Sequence, residues 1–254
     1  MIISPKYKFT FLKNPKTGGT TIHNVLPVFL ERNSTIPNQI ETVEISNSFF
    51  GKQTIKNYSP YYNLKNYINK GLIPGNISEY CNYLIVRDPV DRFQSLCRHV
   101  RDNGWQTRVL FKERLEAVST DNDKKQQLLP FSRRLSLSDF SPEYIKVYKS
   151  ITLEEIGNKI LETPLNSQVP NFDFLRIPQN YYYEDDNITP IDFNKLEENY
   201  HKICDRHGIP KVEKFLKYNE GTRKTSDSFS TDLINRVKNV YAEDVEFYSI
   251  LTKG

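Results

Sequence analysis

The chain has 254 residues, which suits one large α/β domain or two small ones and allows a sizeable core. Hydrophobic residues make up 37% and mean hydropathy is −0.61, yet 16 tyrosines and 15 phenylalanines supply bulky core material, which excludes a disordered chain. A net charge of +4 suits a pocket for a small anion; a nucleic-acid partner would need a clustered basic stripe and is not expected.

In chain order, Tyr7 to Lys13 is rich in β-formers and predicts the first strand. Asn14-Pro15-Lys16-Thr17-Gly18-Gly19 breaks it. Thr20, Thr21 and the apolar Ile22, Val25, Leu26 and Phe29 then predict a helix from about Thr20 to Arg32, kinked or ended early by Pro27. Polar Asn33 to Gln39 leads to a weak second strand at Thr42 to Ile45. A polar stretch, Asn47 to Pro60, precedes an aromatic piece (Tyr58, Tyr61, Tyr62, Tyr67) with a short helix ending before Gly71. Cys81 to Val86 is a compact apolar run, the signature of a buried strand. Arg87-Asp88-Pro89 stops it and starts a helix: Asp88 as N-cap, Pro89 at the first helical position, and Val90, Phe93 and Leu96 on one face, ending near Gly104.

Thr107 to Val118 predicts another helix, followed by a polar, charged segment from Ser119 to Gln127. Helices follow at Pro142 to Lys149 and Leu153 to Leu161, the second with Thr152 and Glu155 spaced as a capping box. Phe172 to Ile177 and Tyr181 to Tyr183 read as strands or an aromatic loop. Asp192 to His207 is an amphipathic helix with Gly208 just past its end. Lys214 to Tyr218 reads as a late strand, Glu220 to Thr225 as a polar basic loop, and Thr231 to Tyr248 as a closing helix. Strands alternating with helices predict a three-layer α/β fold on a parallel sheet, in one domain. Cys81, Cys97 and Cys204 lack CxxC spacing, so neither zinc nor a disulfide framework is expected, and a reducing compartment is. No apolar run reaches membrane-span length and residues 1–12 lack signal-peptide features, so with Met1 as the natural start a cytoplasmic protein without a membrane partner is expected.

Two stretches carry chemistry. In the first, a strand-to-helix turn holds Lys16, Gly18, Gly19, Thr17, Thr20 and Thr21. Backbone N–H groups at a helix start attract an anion, glycines let it approach, and the lysine and hydroxyls add charge and donors. A Walker A loop needs lysine after the glycines, and the dinucleotide fingerprint needs spaced glycines; neither pattern fits. The plain alternative is a tight turn with an ordinary surface lysine. In the second stretch, Arg87 emerges at the carboxyl end of a buried strand, the edge where open α/β sheets bind ligands, and guanidinium suits bidentate phosphate contact. Ser95 adds a hydroxyl two turns into the helix, and Asp91 with Arg92 reads as a surface pair.

Together the two stretches resemble the sulfotransferases that use 3′-phosphoadenosine 5′-phosphosulfate (PAPS), particularly the carbohydrate O-sulfotransferase branch. The 5′-phosphosulfate loop of that family resembles Pro15 to Thr21, and its 3′-phosphate motif resembles Val86 to Ser95. Weaker likenesses are the helix Asp192 to His207, the loop Asn219 to Lys224 and the ending Val240 to Tyr248. The resemblance implies a P-loop-like sulfotransferase fold and sulfuryl transfer to a hydroxyl of a glycan or small molecule, releasing 3′-phosphoadenosine 5′-phosphate (PAP). It implies Lys16 as the cation at the leaving phosphate oxygen, and Thr17, Gly18, Gly19, Thr20 and Thr21 around the 5′-phosphate. It likewise implies that Arg87 and Ser95 take the 3′-phosphate, that Arg223 and Lys224 close over the cofactor, and that no metal is needed.

The family generally uses His or Glu as base. No histidine lies between Asn24 and Arg98, which leaves Glu41 and Glu44, near the end of the second strand, as carboxylate candidates against a plain reading as solvated residues. His23 and His99 read as structural, and His207 as serving a dipole or capping role at a helix end. Two rival functions stand beside this one: a P-loop kinase using ATP and Mg²⁺, and a non-catalytic nucleotide-binding or partner-binding module. Acceptor and oligomeric state are left open.

Overall fold

A computed structural model of the chain describes residues 2–4, 7–12, 14–25, 65–66, 68–71, 75–103, 105–127, 137–163, 176–182, 187–215 and 228–253. Expectations for Thr42 to Ile45, Asn47 to Pro60, Tyr58, Tyr61, Tyr62, Tyr67, Tyr183, Glu41, Glu44, Arg223 and Lys224, and for the first helix beyond Val25, lie outside those residues. The described parts fall into two compact units, one within Met1–Arg92, Phe174–Thr222 and Tyr241–Gly254, the other within Phe93–Asp173 and Arg223–Val240.

The apolar run at Cys81–Val86 (β3) is the centre of the sheet in the first unit, buried from Asn82 onward. It pairs in parallel with Phe9–Leu12 (β2) on one side and with Ile188–Asp192 (β4) on the other. Ile2–Ser4 (β1) adds an antiparallel edge to β2, giving the order β1-β2-β3-β4. The expected parallel sheet therefore carries one antiparallel strand. Tyr7 and Lys8, expected in the first strand, form the turn between β1 and β2, with Lys8 at φ 53° and Ser4 Oγ accepting from the Tyr7 N–H at 3.3 Å. β4 carries no clear strand pattern in the sequence, where Pro190 interrupts it. Proline is tolerated where one side of a strand needs no ladder donor, and β4 ends the sheet among the described residues.

Side chains alternate across the strands. Phe9, Phe11, Tyr83, Ile85 and Ile191 face one layer, where Gly19–Val25 (α1) contributes Ile22 and Val25 and Leu196–His207 (the helix after β4) contributes Leu196, Tyr200, Ile203 and Cys204. Leu12, Leu84, Val86 and Ile188 face the other layer with Ile177 and Tyr182, covered by Phe247, Tyr248 and Leu251 of the helix Ala242–Lys253. On that face Thr10 Oγ1 donates to Asn82 Oδ1 at 2.7 Å, and Asn82 Nδ2 donates to the Tyr80 and Asn187 carbonyls, so two buried polar side chains are satisfied. Helices on both faces of the sheet make the predicted α/β layering of this unit.

Several predicted helices are observed with their signals. Pro89–Asn103 (α2) begins with the Asp91 N–H donating to Asp88 Oδ1 at 2.9 Å, the expected N-cap. The second unit then holds Trp105–Leu110 (α3) and Lys112–Glu116 (α4), broken at Phe111 where one helix was expected. Asp121–Gln127 (α5) forms where a polar segment was expected. Thr120 and Asp123 cap it reciprocally: the Asp123 N–H donates to Thr120 Oγ1 and the Thr120 N–H to Asp123 Oδ2, a capping box with aspartate in place of glutamate. Pro142–Ser150 (α6) is capped by Ser141, and Leu153–Glu162 (α7) by the predicted Thr152/Glu155 box. After β4, Asp192 caps a 3₁₀ turn, Phe193–Lys195, before α8 (Leu196–His207), and Gly208 closes α8 at φ 63°. The closing helix is two, Thr231–Val240 (α9) and Ala242–Lys253 (α10), separated at Tyr241 where the two units divide. Asn180 to Tyr182 is a 3₁₀ turn, and Phe215 is not in a strand.

Candidate phosphate-binding site

β2, β3 and β4 run in parallel, so their carboxyl ends lie along one edge of the first unit. The loop after β2 carries Lys16, the end of β3 carries Arg87, and the end of β4 leads into Phe193. Register explains their meeting: Leu12 pairs with Leu84, and Val86 with Asp192, so each chain leaves the sheet at nearly the same level.

The loop has an alternating backbone. Lys16 has φ 65° and Gly18 φ 80°, and Thr17 between them lies on the ordinary side. Alternation of this kind is the backbone pattern that can turn successive N–H groups to one side, as anion-binding concavities require. A non-glycine residue in the left-handed region costs about 1–3 kcal/mol, so Lys16 is held there by its surroundings. Arg87 holds it: Nη1 donates to the Lys16 carbonyl at 3.0 Å. Gly18 is tightly covered, since a Cβ there would lie 2.7 Å from Phe193 Cε2. Helix α1 begins at Gly19, and the Thr21 N–H donates to the Gly18 carbonyl at 2.9 Å.

The hydroxyls divide. Thr17, 1% exposed, turns its Oγ1 to the carbonyl and side-chain oxygens of Asn14, so it braces the loop rather than offering a free donor. Thr21 is buried and Thr20 half-buried. Of the three hydroxyls expected in the cradle, that of Thr17 is taken up by Asn14.

Arg87 is partly buried and its plane is fixed from three directions. Nε donates to Asp91 Oδ2 at 2.8 Å, Nη1 takes the Lys16 carbonyl, and the guanidinium stacks 4.3 Å above the Phe193 ring. Among the described residues no hydrogen-bond partner is seen for Nη2. Asp91 therefore pairs with Arg87, at i,i+4, and not with Arg92 as the sequence suggested; neighbours at i,i+1 do not face each other on a helix. Arg92 is buried instead, 4% exposed, with Nε on the Pro15 carbonyl at 3.1 Å and Nη2 on the Ile177 carbonyl at 2.7 Å.

Ser95 lies on α2, in the part belonging to the second unit, and is partly buried. His99 is half-buried on the same helix. His207, expected in a dipole or capping role at the end of its helix, bonds to groups outside that helix. Its Nδ1–H donates to the Tyr7 carbonyl and its Nε2 accepts from the Tyr83 hydroxyl, both at 2.8 Å. Burial lowers its pKa and pushes the Tyr83 phenol up to about 12, so the ring is a neutral structural bridge. No group of metal-ligating side chains is found among the described residues. No helix among them is long and apolar enough to cross a membrane.

Phe193, Gln179, Arg92 and Asp244 complete this region, and sequence reasoning assigned none of them to the site. One signal was present: Asp244 interrupts the apolar stripe of Tyr241, Phe247, Tyr248 and Leu251.

Comparison with known proteins gives a family match. Residues 1–249 fit the family described as the sulfotransferase family. Neither the curated proteins nor the solved structures provide a match.

Proposed function

Since the chain belongs to the sulfotransferase family, we propose that it is a PAPS-dependent enzyme whose donor site is the loop Pro15–Thr21 together with Arg87. The observation that carries this reading is the contact of Arg87 Nη1 with the Lys16 carbonyl, which ties two cation-bearing segments together at one sheet edge. The donor set fits two anionic groups. The backbone concavity at 16–18, the start of α1 and the Lys16 ammonium suit one, and the outward edge of a braced guanidinium suits the other.

When bound, PAPS supplies an activated sulfuryl group: an S–O bond forms to the acceptor hydroxyl, the S–O bond to the 5′-phosphate breaks, and the hydroxyl proton passes to a base. Lys16 stabilises the charge growing on the leaving phosphate oxygen. Backbone N–H groups of residues 17–20 and the Thr20 hydroxyl hold the 5′-phosphate, with Thr21 beside them at the start of α1. Arg87, with Ser95, holds the 3′-phosphate that separates this donor from ATP. Fixed cations and dipoles of this kind act through positioning and need no reorganisation during transfer. Glu41 and Glu44 are the carboxylates proposed for the base, and Arg223 and Lys224 the cations proposed to close over the donor. The acceptor is a hydroxyl of a glycan or small molecule, and one catalytic domain spanning both compact units is proposed.

The test is transfer of ³⁵S-sulfate from labelled PAPS to glycan and metabolite fractions. Labelled product is expected with the native chain. With Lys16→Ala the rate should fall by about 10²–10³, the scale for losing one electrostatic contact to a developing oxyanion. Unchanged turnover in Lys16→Ala would overturn the assignment.

A further inference from the structure

Asp244 sits on the face of α10 that covers the sheet and is fully buried. A buried carboxylate is costly unless it is paired and hydrogen-bonded. Its oxygens accept the Gln179 and Asn180 N–H groups, both at 2.8 Å, and Oδ2 lies 3.8 Å from Arg92 Nη1. Burial raises its pKa, against the pull of these donors.

Both partners reach onward to the phosphate-binding segments. Arg92 Nε donates to the carbonyl of Pro15, the residue before Lys16. Gln179 reaches Arg87. The ladder between β3 and β4 ends at Val86 and Asp192, so the Arg87 backbone has left the sheet. Gln179 replaces the missing strand: Oε1 accepts the Arg87 N–H at 2.9 Å and Nε2 donates to the Arg87 carbonyl at 2.7 Å. A carboxamide side chain accepts and donates in this way at once without any change of protonation. One carboxylate thus anchors two arms, one ending beside Lys16 and one on Arg87.

We propose that Asp244, Arg92 and Gln179 are positioning residues that fix the separation of the two phosphate sites, and so set the preference for a nucleotide phosphorylated at both 5′ and 3′ positions. This rests on the donor-site reading above. The targets of both arms are backbone groups of the cation-bearing segments, which a role in packing alone does not require.

The experiment is calorimetric titration of the full chain with PAP and with 5′-AMP, which differ only in the 3′-phosphate. Gln179→Leu is expected to weaken PAP about tenfold, or 1.4 kcal/mol, and 5′-AMP by less than about threefold. In an Arg87→Ala background Gln179→Leu should weaken PAP no further, because its effect passes through Arg87. Equal weakening of both ligands, or additive effects in the double variant, would overturn the proposal. If Gln179→Leu does not fold, Gln179→Glu, which keeps the acceptor and loses the donor, is read by the same ratio. A native chain that binds PAP no better than 5′-AMP refutes the donor-site reading itself. A native preference that survives both Gln179 variants refutes only the positioning role.

Discussion

At the scale of single residues, conformation and contact at Gly18 combine. Its φ of 80° disfavours any side chain, and an added Cβ would strike the Phe193 ring. Gly18→Ala is therefore expected to displace Phe193 from beneath the Arg87 guanidinium and weaken PAP binding, at a cost of about 1–3 kcal/mol in backbone strain. Calorimetry and thermal unfolding on that variant check both effects. Phe193→Leu keeps the bulk and removes the cation–π contact, which is worth about 0.5–2 kcal/mol. It should weaken PAP by a few-fold to tenfold with little change in unfolding temperature. Lys16, Gly18 and Arg87 were legible in the sequence because loop chemistry and strand ends leave local signatures. Phe193 was not, since its importance comes from strand register, which places the end of β4 beside two loops distant in the chain. The role of the Thr17 hydroxyl is not legible for a related reason: a hydroxyl can serve the backbone beside it as readily as a ligand, and here it bonds to Asn14.

At the scale of elements, two polar bridges contribute to how the protein answers pH. Asp123 ties the start of α5 to the start of α6, accepting from the N–H and hydroxyl of both Thr120 and Ser141. Burial alone would raise its pKa; these bonds bring it down to about 2. A depressed carboxylate contributes stability above its unfolded pKa and loses it as pH falls through the folded one, so this contribution should persist at neutral pH and disappear between about pH 4 and 2. Asp123→Asn should lower stability by about 1–3 kcal/mol at pH 7, measured by denaturant unfolding, and flatten the acid limb. His207 acts in a higher window. Its folded pKa lies below the ordinary value, so the unfolded chain binds more protons and stability falls as pH drops below about 6.5. His207→Gln should remove that slope in unfolding temperature between pH 7 and 5; a slope identical to the native chain's would contradict the neutral bridge.

For the whole molecule, fold class could be read early because β3 and the helix after it carry unmistakable apolar and capping patterns. The antiparallel β1 and the proline-bearing β4 could not, because edge strands owe their pairing to a neighbour and not to their own composition. The division at Tyr241 was hidden inside an unbroken amphipathic pattern, since the same helical period continues across it. Membership of the sulfotransferase family covers residues 1–249 and so spans both compact units. The central claim is that the chain recognises a 3′,5′-bisphosphorylated nucleotide, and titration with PAP against ATP, with and without Mg²⁺, tests it most directly. The account predicts that PAP binds at least about tenfold tighter than ATP in either condition, from a charge-assisted 3′-phosphate contact of about 1.5–3 kcal/mol. ATP binding more tightly than PAP, with an affinity that depends on magnesium, would contradict it.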